Sequence, residues 1–74
     1  MPVDFNEIRE LIAFVTLTDA SELSADSSMS EWDSFTFWEI IGAVEDKWGV
    51  HFSIAEGTKI KKLGDIYESL SEKI

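Results

Sequence analysis

Residues 33–49 read Asp33-Ser34-Phe35-Thr36-Phe37-Trp38-Glu39-Ile40-Ile41-Gly42-Ala43-Val44-Glu45-Asp46-Lys47-Trp48-Gly49. Asp33 is a strong N-cap, because its carboxylate can accept an amide N–H that the first turn leaves unpaired. Gly49 is a strong stop, since it can take the left-handed conformation that ends many helices. The stretch therefore predicts a helix that starts at Asp33 or Ser34 and ends at Trp48. At 100° per residue, Phe37, Ile40, Ile41, Val44 and Trp48 share one sector, which is the core face. Phe35, Trp38 and Gly42 fall near the opposite sector, flanked by Glu39, Glu45 and Asp46. An outward pair of large aromatics needs a reason. Either the preceding loop folds over it, or it is a docking face with apolar anchors and an acidic rim.

The rest of the chain supplies partners for that core face. Phe5, Ile8, Ile12 and Val15 recur at helical spacing with Leu11 beside them, which predicts a helix from about Asp4 to Leu17. Asp4 and Glu7 have the spacing of a capping box. Residues 18–33 form a long polar connection with four serines between Ser24 and Ser30, and Leu23 and Met29 are its expected anchors. After Gly49, Val50-His51-Phe52 reads as an extended link. Ser53-Ile54-Ala55-Glu56 is a second capping-box pattern, opening a short helix that frays near Lys59. Leu63, Ile66, Tyr67, Leu70 and Ile74 place a last helix at about 63–73. No run alternates as a strand would. The expected fold is all-α: a small four-helix bundle of three longer helices and one short one, forming a single domain over residues 1–74.

Composition narrows the function. The 74 residues carry 15 acids against 6 bases, a formal charge of −9, with no cysteine and one histidine. Such acidity argues against binding nucleic acid, whose phosphates it would repel, and favours a basic partner. Without cysteine, disulfides and thiolate metal sites are excluded. No apolar run reaches the ~20 residues that span a bilayer. Met1-Pro2-Val3-Asp4 has neither the basic nor the apolar segment of a signal peptide, so a cytoplasmic monomer is expected. The acidity is uneven. Residues 1–58 hold twelve acids and only Arg9 and Lys47 as bases, whereas residues 59–74 are close to balanced.

Ser34 opens the long helix directly after an acid. Free N–H groups and the positive end of the helix dipole suit an anion there, such as a phosphate on the serine, although Asp-Ser also serves as an ordinary cap. Catalysis by Ser34 is not expected. The single histidine, His51, is seventeen positions away, beyond the far end of the helix and more than ~20 Å along its axis. Asp26-Ser27-Ser28-Met29-Ser30-Glu31 lacks the glycine and the ladder of acids of a calcium loop.

An Asp-Ser-(Leu) start, an acidic amphipathic helix ending in E-D-K-W-G, and a short third helix before a fourth resemble the acyl carrier protein family over nearly the whole chain. The likeness is strongest from Glu31 to Leu70. It implies that Ser34 carries 4′-phosphopantetheine through a phosphodiester, with Asp33 as the preceding acid. The cofactor would bring the thiol that the chain lacks. The family's partner-recognition acids correspond to Glu39, Glu45 and Asp46, and its outward apolar positions to Phe35, Trp38 and Gly42. Phe52, Ile60 and Leu63 stand where the downstream apolar positions fall. Glu31-Trp32 replaces the usual Gly-x of housekeeping members, and Phe35 replaces leucine. This form is similar to specialised or stand-alone carriers.

The resemblance implies a non-catalytic carrier of acyl or aminoacyl thioesters in fatty acid, polyketide or related synthesis. Its partners would be a phosphopantetheinyl transferase and acyl-loading, acyl-transfer or condensing enzymes with basic docking patches. Family members often shelter cargo inside the bundle. The candidates for such a pocket are Phe37, Ile41, Val44, Phe52, Ile54, Ile60, Leu63 and Ile66, which equally suit a plain core. Abundant aromatics suggest a tight interior and a short or polar cargo. The competing reading is an unmodified acidic adaptor or inhibitor that uses the same helix face and is indifferent to Ser34.

Overall fold

Asp33 caps the long helix through its side chain. In the computed structural model, which describes residues 3–74, Asp33 Oδ1 accepts the Thr36 N–H at 2.8 Å. That helix, α2, spans Ser34–Trp48, and Gly49 ends it at φ 65°, donating its N–H to the Glu45 carbonyl. Before it, α1 covers Phe5–Thr16; after it come α3, Ile54–Thr58, and α4, Leu63–Lys73. Met1 and Pro2, the start of the stretch read against a signal peptide, lie outside the described residues. Fifteen residues at ~1.5 Å each make α2 about 22 Å long, nearly the full 26 Å of the longest dimension.

The apolar faces meet as their spacing requires. Ile8 and Ile12 of α1, Ile40, Ile41 and Val44 of α2, and Leu63, Ile66 and Leu70 of α4 are all at most 1 % exposed. α1 packs against both α2 and α4, and the result is the four-helix bundle of three longer helices and one short one. Phe37 and Trp48, at the two ends of the expected core face of α2, are only half-buried. Tyr67 meets Phe5 edge-on at 5.7 Å, while Ile74 at the end of its stripe is half exposed. No helix among the described residues is long and apolar enough to cross a membrane.

Two ends differ in detail from expectation. Asp4 caps α1 through the Asn6 N–H at 2.9 Å, and Glu7 contributes only its backbone N–H to the Asp4 carbonyl, so the reciprocal capping box does not form. Leu17 closes α1 at φ 55°, a conformation in which glycine is the usual residue, with its side chain in solvent. At α3 the box is complete: Ser53 Oγ accepts the Glu56 N–H at 3.1 Å and Glu56 Oε1 accepts the Ser53 N–H at 2.9 Å.

The long connection is not loose. It holds two turns of 3₁₀ helix, Ala20–Glu22 and Met29–Glu31, and buries Leu23 and Met29. Its backbone is tied to the segment that leads into α4. Met29 N–H donates to the Lys61 carbonyl, Leu63 N–H to Ser27 and Gly64 N–H to Ala25, each at 2.9 Å. Gly64 permits this approach, since a Cβ there would lie 3.0 Å from the Ala25 carbonyl oxygen. Asp65 Oδ2 then accepts the Lys61 and Lys62 N–H groups, which holds its carboxyl below the ordinary range.

α3 is too short to persist alone. Lys73, near the end of α4, holds it: its Nζ is 2.6 Å from Glu56 Oε2 and 5.0 Å from the Phe52 ring centre. The Lys73 contact, followed by the Ser53 N–H, pulls the Glu56 carboxyl from 4.5 down to about 2. A carboxyl with a depressed folded pKa stabilises above its unfolded value and loses that contribution as pH falls toward the folded one. The melting temperature should therefore fall more steeply for the wild type than for Glu56→Gln as pH drops from about 4.5 to about 2. Parallel slopes in a pH series of thermal melts would contradict this role of Glu56.

Candidate functional site

Ser34 is the first residue of α2 and is exposed. Asp33 takes the Thr36 N–H with its side chain and the Phe37 N–H with its carbonyl. Among the described residues, no acceptor engages the N–H groups of Ser34 or Phe35, so they remain free beside the serine hydroxyl. The Asp33 carboxyl is held below its ordinary range, first by the Thr36 N–H, and stays ionised at neutral pH.

Ser34 also stands at the edge of a cleft of about 510 Å³ between the long connection, α2 and α3. One part of its wall is apolar: Met29, Trp32, Phe37, Trp38 and Ile60. Ser28, Ser30, Thr58, Lys61 and Gly57 also line the cleft. A volume of this order matches small-molecule sites, typically ~300–1,000 Å³. Ser28, Ser30, Trp32 and Lys61 were not expected here. They reach the cleft because the connection is stapled to residues 61–64, a long-range pairing with no periodic trace in the sequence.

The other pocket candidates divide. Phe37 and Ile60 line the cleft. Ile41, Val44, Phe52, Leu63 and Ile66 do not reach its wall; all are within 3 % of full burial and pack the core. Ile54 is 76 % exposed at the outer side of α3, so an interior position for it is corrected. It is the first residue of a helix whose one buried residue is Gly57.

The docking candidates divide as well. Phe35 is 69 % exposed, so the long connection does not cover it. Glu39 and Asp46 are exposed, and Gly42 has open space above it. Glu45 departs from its wheel position. The chain reverses after Gly49 and brings the Phe52 N–H back over it, and Glu45 Oε2 accepts that N–H at 2.7 Å with His51 Nδ1 3.3 Å away. This acid fixes the link between α2 and α3, and only Glu39 and Asp46 are left free on the face. Trp38 departs too. A wheel places Cα atoms, and this long side chain leans sideways so that its indole rests on α3 at Gly57 and meets the Phe37 ring edge-on at 5.1 Å.

The arrangement offers an accessible hydroxyl at a helix N-terminus, a mixed cleft beside it, and an acidic face with an apolar anchor below it. A covalent phosphodiester fits it: the free N–H groups and the dipole end favour the negative charge, and the cleft has room for an attached chain. The chain is 35 % identical, over 97 % of its length, to polyketide-8 synthase acyl carrier protein 2 of Streptomyces avermitilis, of which it covers 86 %. No protein-family profile matches the chain.

Proposed function

The chain belongs to the acyl carrier protein family, and we propose that Ser34 is the attachment point of its 4′-phosphopantetheine, making the chain a single-domain, non-catalytic carrier of acyl or aminoacyl thioesters. When bound, the group supplies the thiol that carries the acyl cargo, which a chain without cysteine cannot provide. The observation that carries the proposal is the exposed Ser34 at the capped start of α2, on the edge of the cleft.

Each residue has a part. Asp33 caps the first turn and so holds Ser34 at the start of α2. The N–H groups of Ser34 and Phe35 would offer donors to the charge of an attached phosphodiester. The cleft walls shelter what is attached. Phe35 anchors the docking face, Gly42 keeps it low, and Glu39 and Asp46 attract basic patches on a phosphopantetheinyl transferase and on loading, transfer or condensing enzymes. Cytoplasmic work as a monomer fits this role, with no nucleic-acid partner and no membrane insertion.

Glu39→Lys combined with Asp46→Lys should lower the association rate with the transferase roughly 10–100-fold at low salt. The loss should shrink as ionic strength rises from ~0.01 to ~0.15 M, where the screening length falls from ~30 to ~8 Å. Stopped-flow association rates across that range check it; a rate unmoved at low salt would remove these acids from the docking face. The proposal itself is tested by incubation with a fluorescent coenzyme A analogue and a broad-specificity transferase. Labelling of the wild type and not of Ser34→Ala supports the carrier. An unlabelled wild type would favour an acidic adaptor that docks without modification.

A further inference from the structure

Trp38 lines the cleft, is 38 % exposed, and bridges α2 to α3. Its indole lies so close to the Gly57 backbone that a methyl group on Gly57 would collide with Cη2 and come within 3.1 Å of Cζ2. The core side chains Ile41, Val44, Leu63 and Ile66 are at most 1 % exposed, and none of them lines the cleft. A long alkyl chain that entered the bundle from the cleft between α2 and α3 at Gly57 would have to part Trp38 from that glycine and displace a close-packed interior.

We propose that Trp38, seated on Gly57, is the specificity residue of the cleft: it confines cargo to the surface beside Ser34 and selects short acyl groups with a flat or oxygen-bearing end over long alkyl chains. This rests on the carrier reading of Ser34. The cleft's own chemistry fits that class. Trp32, Phe37 and Trp38 offer ring surface to a planar group. Ser28 and Ser30 share one hydrogen bond between their hydroxyls at 2.7 Å, which leaves one O–H of the pair free to donate. Lys61, whose side chain ends in an ammonium donor, also lines the cleft. A carbonyl or hydroxyl of the cargo finds donors there that an alkyl chain would leave unused.

The test loads Ser34 with acetoacetyl, benzoyl or octanoyl pantetheine arms from the corresponding coenzyme A thioesters. Methyl resonances are then followed in the wild type, Trp38→Ala and Gly57→Ala. Gly57→Ala keeps every core side chain and forces the indole away, so it opens the same route even if Trp38→Ala packs poorly. In the wild type, all three arms should shift the Ile60 methyls and leave those of Ile41 and Leu63 in place. In both variants, the octanoyl arm alone should move Ile41 and Leu63. Octanoyl shifts at Ile41 and Leu63 in the wild type would overturn the proposal, as would quiet core methyls in both variants or an unmoved Ile60 with every arm. If the transferase leaves Ser34 unmodified, the carrier reading fails on its own. The same free pantetheine thioesters at millimolar concentration then decide the cleft proposal by the same resonances.

Discussion

Ser34→Ala should lose all transfer of the pantetheine group and, with it, all acyl loading, while the folded structure stays intact. The side chain is exposed and makes no hydrogen bond among the described residues. Alanine is the best helix former, and the cap belongs to Asp33. Such a surface change is expected to move stability by less than ~0.5 kcal/mol. Loss of loading without loss of melting temperature separates an attachment role from a structural one. The matching change at Asp33 should behave differently. Asp33→Ala removes the cap, at ~0.5–2 kcal/mol, and should slow loading only in part, because the hydroxyl remains.

Ile40→Ala should have the largest effect on stability. Ile40 is fully buried at the centre of the core face of α2. Truncation removes apolar contacts and leaves a cavity, which costs ~2–5 kcal/mol. A domain of this size buries only ~60 % of its unfolded surface, and a total of ~5–10 kcal/mol leaves little margin. A large share of the molecules should be unfolded at 37 °C, and thermal or urea unfolding would report it. Phe14→Ala is the control, because Phe14 is 79 % exposed and its loss removes almost no buried area. Equal losses in the two variants would contradict the arrangement of the core.

The helices were legible because their signals are local. Asp33, Gly49, Ser53 and Glu56 act on backbone groups within four residues, so their spacing alone predicts the ends of α2 and the start of α3. The buried stripe of Ile8, Ile12, Ile40, Ile41, Val44, Leu63, Ile66 and Leu70 is likewise a matter of period. Contacts made across the fold were not legible. Glu45 is drawn to the Phe52 N–H by a chain reversal, and Trp38 is drawn to a slot that exists only because residue 57 lacks a Cβ. A helical wheel carries neither fact. The cleft depended on the pairing of residues 25–29 with 61–64, which brings Ser28, Ser30 and Lys61 to α2 from two polar stretches without periodicity. The position of Ser34 at a helix start needed only the cap; its setting beside a cleft needed the whole fold.

The measurement that bears most directly on the carrier role is the intact mass of the purified chain after incubation with coenzyme A and a phosphopantetheinyl transferase, followed by fragmentation to place any added group. A gain of one phosphopantetheinyl group, located on Ser34, is the expected result. An unchanged mass, or a gain located on another residue and retained in Ser34→Ala, would contradict it.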